Sequence, residues 1–269
     1  MSLFICLLVL VCACSIVNAR SAPANTVLHA PFTPFDYSGH VNVKVIPALA
    51  KDAASQGVNF LWISGSMSQF DTLTMAERKL IAEAWVKAAA PYEMFVLIHV
   101  GTTVARDAME LAQHAAMIGA DAIGAVPPYY EQSPDPANLA QFLAPVAAAA
   151  PELPFYYYHL PGVTHCTFSM MSFVPFALEA IPSFAGIKFV SSDLDDYATL
   201  LNNYPQLNNL FAPEPKLAGI ALGAKGVVLA ESFYAPTWLR MCHAAKVDNW
   251  VAARAEQKWK HDVMRVFAA

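Results

Sequence analysis

The sequence predicts a single TIM-type (β/α)8 barrel, and three observations carry that prediction. Eight short apolar, β-rich runs alternate with longer amphipathic or alanine-rich stretches. The short runs are continuously apolar, as strands covered on both faces are. Once an apolar leader is set aside, about 250 residues remain, the usual size of such a barrel.

The predicted strands are residues 27–32, 59–64, 94–100, 122–126, 155–158, 186–190, 209–211 and 226–229. Helical stretches between them include 43–56, 75–90, 105–118 and 137–149. Thr74 and Glu77 stand three apart at the start of the second of these, the spacing of a capping box. Gly57 and Gly119 fall where helices should end before the next strand. An open doubly wound sheet is the structural alternative, but no glycine-rich phosphate loop follows the first strand. No linker or low-complexity tract divides the body.

Residues 3–14 form an uncharged apolar run, followed by Ser15-Ile16-Val17-Asn18-Ala19. The run is short for a bilayer span, and Val17-Asn18-Ala19 suits a small-residue cleavage site. The expected organisation is therefore a signal peptide at 1–19 and a barrel domain at 26–269, with a secreted mature chain. Met1-Ser2 carries no lysine or arginine, so an uncleaved anchor, or a cytoplasmic chain with an inert leader, stays open.

Hydrophobic residues make up 57% of the chain and charged residues 14%, enough to bury a large core. The formal charge of −5 is spread without a basic stripe, which argues against nucleic acid as a partner. Cutting the leader leaves Cys166 and Cys242, too few for a disulfide framework; whether they pair is open. His29, His99, His114, His243 and His261 lack metal-ligand spacing, so no metal is expected.

Barrel chemistry sits at the carboxyl ends of the strands. Lys188 lies there, inside the apolar run Phe184-Ala185-Gly186-Ile187-Lys188-Phe189-Val190. A buried lysine loses hydration, its ammonium form is disfavoured, and the neutral amine attacks ketones. The plainer account is a lysine that snorkels to water or pairs with Asp193. Tyr158 ends Phe155-Tyr156-Tyr157-Tyr158, where alternation puts Tyr156 and Tyr158 on one face and Tyr157 on the other. Its phenol is a candidate proton shuttle, although aromatics are also simply good strand formers. After the second strand comes Ser64-Gly65-Ser66-Met67-Ser68-Gln69, either an ordinary turn or a loop whose hydroxyls and N–H groups hold a carboxylate. Tyr129-Tyr130 suits the barrel mouth or plain loop packing, and the Met170-Met171 and Trp238 stretches look like helix-face packing.

Several further segments match one family in order: Phe32-Thr33-Pro34-Phe35, Gly65-Ser66, Glu77-Arg78, Glu83-Ala84-Trp85, Leu97-Ile98-His99-Val100-Gly101, Leu111-Ala112-Gln113-His114-Ala115-Ala116, Gly119-Ala120-Asp121, Leu153-Pro154-Phe155-Tyr156-Tyr157-Tyr158-His159 and Gly186-Ile187-Lys188-Phe189. Over residues 26–250 the chain resembles the N-acetylneuraminate lyases, within the larger family that includes dihydrodipicolinate synthase. The resemblance implies a Schiff base at Lys188, proton transfer by Tyr158 and no cofactor beyond that covalent imine. It implies reversible cleavage of N-acetylneuraminate, or a related 2-oxo acid, to N-acetylmannosamine and pyruvate. It places Ser66, Met67, Glu214 and Val228 at the substrate, and implies a homo-oligomer, a tetramer, with Tyr129 near a shared mouth. Val163 stands where the synthases carry an arginine, which favours the lyase branch.

The departures cluster around the substrate. Met67 replaces a threonine hydroxyl, Ser68 a glycine, Val190 a serine or threonine, and Ala230 a serine; Ala212-Pro213-Glu214-Pro215 replaces Gly-x-Asp-Glu. Each lost polar contact should cost about 1–3 kcal/mol. The sequence ends at Ala269, where relatives continue with further helices: the expectation is either a fragment or a barrel with a shortened C-terminal helical extension. Besides an active lyase, two readings stay open: a secreted, catalytically degenerate homologue that binds a ligand, and a hydratase-aldolase of other specificity.

Overall fold

A computed structural model describes residues 20, 22–23, 26–130 and 135–268. The proposed signal peptide at 1–19 lies outside the described residues.

Eight parallel strands close into a barrel in sequence order: β1 Thr26–His29, β2 Phe60–Ile63, β3 Phe95–His99, β4 Ala122–Ala125, β5 Phe155–His159, β6 Phe184–Phe189, β7 Leu210–Phe211 and β8 Gly226–Leu229. Closure is made by β1 against β8, with Leu28 beside Val228. The doubly wound alternative is thereby excluded. Every predicted strand is present, most shortened by a residue or more at one end or both.

The helices are α1 Ile46–Ser55, α2 Met75–Ala89, α3 Ala105–Met117, α4 Pro136–Ala148, α5 Pro161–Thr164, α6 Met170–Ala180, α7 Leu194–Asn203, α8 Lys216–Leu222, α9 Ala235–Lys246 and α10 Trp250–Ala268. The capping box forms as predicted: Glu77 N–H donates to Thr74 Oγ1 at 3.2 Å and Thr74 N–H donates to Glu77 Oε2 at 2.8 Å. Gly57 and Gly119 take the left-handed backbone, φ 89° and 79°, that ends α1 and α3. Caps from Asp135, Ser169 and Asp193 start α4, α6 and α7. One helix, α10, follows the barrel's last helix α9 and packs on it.

Two cores result from strand alternation. Residues facing the helices, such as Ile63, Ile98, Tyr157, Ile187 and Phe189, join the outer core. Residues facing the barrel axis, such as Phe60, Trp62, Leu97, Tyr156 and Tyr158, fill the inner one. Tyr156 and Tyr158 therefore share a face and Tyr157 takes the opposite one, as alternation requires. Met170 and Trp238 are buried in helix packing. Cys166 is buried and Cys242 half-buried, and they are not joined in a disulfide. Among the described residues no helix is long and apolar enough to cross a membrane.

Candidate active site

β5 and β6 are in register so that Tyr158 and Lys188 are direct partners, both pointing into the barrel near its carboxyl end. Lys188 is 3% exposed. Its Nζ lies 4.1 Å from the ring centroid of Tyr158 and 4.5 Å from that of Trp62. Among the described residues nothing pairs with that nitrogen. Asp193, the partner an ion pair would need, instead caps α7 by accepting from Asp196 N–H at 3.0 Å. Burial lowers the Lys188 pKa to about 7, so a large share of the amine is neutral near neutral pH. Snorkelling is thereby excluded.

The Tyr158 hydroxyl lies 3.2 Å from Ser66 Oγ. Burial raises the phenol pKa and the Ser66 hydrogen bond acts against that rise. Gly65 is the residue that admits this approach: a Cβ there would stand 2.9 Å from Trp62 Cδ1 and 3.8 Å from Lys188 Nζ. The left-handed residues of the loop are Ser64 and Gln69, at φ 57° and 53°, so Ser68 needs no glycine-like freedom. Its hydroxyl donates to Pro31 O at 2.6 Å, and its carbonyl accepts from Thr33 Oγ1 at 2.8 Å. Ser68 thus latches the loop to the segment after β1.

Sequence reasoning left two neighbours unassigned. Trp62 forms the apolar shelf beside Lys188. His99 is fully buried, with its ring 5.9 Å from that of Tyr158. His99 Nδ1–H donates to Ser64 O at 2.9 Å, and Val126 N–H donates to His99 Nε2 at 3.2 Å, which fixes a neutral tautomer. Burial first, then Arg78 and Lys188, hold its pKa well below the ordinary histidine value. The Arg78 guanidinium donates to His99 O at 2.7 Å and Gly101 O at 3.1 Å, tying α2 to the end of β3. Strand alternation could have pointed to Trp62; the contacts of His99 are long-range and leave no local signal.

A cavity of about 440 Å³ opens above Lys188 and Tyr158. Met67, Val190, Ala212 and Val228 line its inner part, apolar throughout. Glu214, Lys216, Glu231 and Lys260 line its outer part. Glu214 pairs with Lys216 Nζ at 3.3 Å and with Lys260 Nζ. Lys216 Nζ also donates to Pro213 O at 3.1 Å and to Ala212 O. Burial lowers Lys216 to about 7 and Lys260 to about 8. The cavity thus gathers Lys188, Tyr158, Met67, Glu214 and Val228, with Ser66 behind Tyr158. Tyr129 is half-buried against Phe70, ring to ring at 5.8 Å, and does not line the cavity. Among the described residues no cluster of three or more His, Cys, Asp or Glu could hold a metal.

Chemically, this is a buried amine, part neutral, facing a phenol that is hydrogen-bonded to Ser66, at the floor of a cavity large enough for a sugar-sized molecule. The model of the dihydrodipicolinate synthetase family matches residues 23–269. The N-acetylneuraminate lyase of Rattus norvegicus is 38% identical over 206 residues, 74% of this chain and 63% of the relative. That of Xenopus tropicalis is 36% identical over 204 residues, covering 75% and 67%. The chain thus spans about two thirds of the length of these two relatives. Among solved structures, the N-acetylneuraminate lyase of Aliivibrio salmonicida superposes with a TM-score of 0.87 at 29% identity, covering 93% of this chain and 83% of that one. That of Proteus mirabilis gives 0.85 at 27% identity, covering 90% and 83%.

Proposed function

The chain belongs to the dihydrodipicolinate synthetase family, and from that premise we propose that it is a Schiff-base-forming class I aldolase, reversibly cleaving N-acetylneuraminate or a related 2-oxo acid to N-acetylmannosamine and pyruvate. One observation carries the chemistry: a buried, unpaired lysine amine with pKa near 7 that faces a tyrosine ring across two paired strands. The relatives, lyases by name, support turnover over the degenerate binding protein.

Each step is balanced by these groups. The neutral Lys188 amine attacks the C2 ketone, and the carbinolamine loses water as Tyr158 supplies the proton. The protonated imine is then an electron sink beside a phenolate, which its charge stabilises. The C3–C4 bond breaks, its electron pair passes into the imine, and the C4 hydroxyl proton goes to the Tyr158 oxygen. The aldehyde leaves. Tyr158 returns that proton to C3 of the enamine, and water releases pyruvate, the amine and a proton that restores the phenol. Ser66 orients the phenol through its 3.2 Å contact. No added cofactor enters this scheme.

Borohydride trapping with pyruvate tests it: the expected result is one reduced adduct located on Lys188, lost in Lys188→Ala. A folded protein without that adduct would sink the proposal. Two further parts of the reading concern the assembly: a tetramer, checked by sedimentation, and secretion directed by residues 1–19, checked by N-terminal sequencing of secreted material.

A further inference from the structure

The cavity is divided by chemistry. Beside Lys188 its wall offers Met67, Val190, Ala212 and Val228, none with a side-chain hydrogen bond to give. At Met67 and Val190, where the resemblance puts hydroxyls, this chain has none. Polarity reappears further out, on the loops after β7 and β8 and on α10. We infer that Lys260, acting with Glu214 and Glu231, determines specificity by binding the polyhydroxylated tail of the aldehyde half of the substrate. This rests on the aldolase reading above.

Four features lead there. Lys260 is 7% exposed yet lines the cavity, so the little surface it keeps lies at the cavity wall. Its Nζ has Glu214 as hydrogen-bond partner and faces the Tyr234 ring at 5.3 Å, which leaves donors for a ligand. Lys216, by contrast, spends its donors on Ala212 O, Pro213 O and Glu214 and serves to hold that carboxylate. Glu231 is half-buried on the same wall.

The mixture of signs selects the ligand. Two carboxylates stand against the two ammoniums of Lys216 and Lys260, so the wall offers no surplus charge to hold a phosphate or a second carboxylate. A chain of hydroxyls, each both donor and acceptor, satisfies the Lys260 ammonium and the two carboxylates together. An aliphatic aldehyde offers the remaining Lys260 donors and carboxylate lone pairs nothing in exchange for their hydration, which a polar site rejects.

Binding of N-acetylmannosamine, followed by saturation-transfer NMR, tests the assignment without needing turnover. The unaltered protein should bind the sugar. Lys260→Met should weaken binding roughly 10-fold or more, and Lys260→Arg, which keeps charge and donors, should recover most of the loss. If Lys260→Met fails to fold by circular dichroism, Glu231→Gln carries the same direction of change. Equal affinity in the unaltered protein and in either variant, or no binding by the unaltered protein, overturns the inference. The pyruvate adduct of the unaltered protein reports separately on Lys188, so failure of the imine chemistry and failure of the outer wall give different results.

Discussion

Lys188 Nζ sits 4.1 Å above the ring of Tyr158, its direct neighbour in the β5–β6 ladder. Two effects oppose one another at that nitrogen. Aromatic faces favour the ammonium by about 2 kcal/mol or more when desolvated. Burial disfavours it by more, since a fall from 10.5 to about 7 corresponds to several kcal/mol. Desolvation wins, and the pair is left as amine beside phenol.

Imine formation should follow the neutral fraction of that amine. The rate of borohydride-trapped adduct formation with pyruvate should fall about tenfold for each pH step below 7 and level off above it. A rate that keeps rising to pH 10 would mean that Lys188 has an ordinary lysine pKa and that the dry floor of the cavity is wrong.

Tyr158→Phe keeps the ring over Lys188 and removes the proton carrier. Turnover should drop by about 10²–10⁴-fold, with a smaller effect on adduct formation, where water can supply a proton. Ser66→Ala leaves the phenol but removes its 3.2 Å partner, so turnover should fall more modestly and the phenol pKa should rise. Steady-state turnover compared with adduct yield separates these roles.

The barrel was legible because its signal is periodic: buried strands read as apolar runs, and the capping box at Thr74–Glu77 and the turn glycines Gly57 and Gly119 punctuate them. Lys188 stood out because a lysine in an apolar strand is costly, and alternation put Tyr158 on the face opposite Tyr157, which the closed barrel makes the inner one. Trp62, His99 and Lys260 did not stand out. Tryptophan in a strand is ordinary, and His99 reaches Ser64 and Val126 only through the closed barrel. Lys260 lies in the polar-looking run Gln257-Lys258-Trp259-Lys260-His261, and only the packing of α10 on α9 brings it to the cavity. Contacts made across the fold leave no local pattern to find.

Keeping a lysine on the cavity floor costs stability, with a defined pH signature. Between about pH 7 and 10.5 the unfolded chain holds a proton on Lys188 that the folded chain lacks, so the stability this group allows rises with pH across that window. Below about 7 both states are protonated and the full penalty of a buried charge applies. Lys188→Met should therefore stabilise the protein, most at pH 7 and below, with the gain shrinking toward pH 10. Urea unfolding of both proteins at pH 6.5 and pH 9.5 measures the difference; a gain that grows with pH contradicts the assignment.

Two glycines near the site make opposite demands, and substituting each separates chemistry from folding. At Gly186 an added Cβ would lie 2.1 Å from the backbone oxygen of Asn208, which cannot move without breaking the barrel wall. Gly186→Ala should lower stability by about 2 kcal/mol or more, or prevent folding. At Gly65 the nearest atoms are Trp62 Cδ1 at 2.9 Å and Nε1 at 3.1 Å, a side chain at the edge of the cavity, with Lys188 Nζ next at 3.8 Å. The indole can shift by a few tenths of an ångström, and in doing so it disturbs the shelf on which the amine rests. Gly65→Ala should therefore fold with near-normal thermal stability yet form the pyruvate adduct at least tenfold more slowly, because a small misplacement at a reacting atom is expensive. An unchanged adduct rate in a folded Gly65→Ala would show that the closeness of this loop to Lys188 serves packing alone.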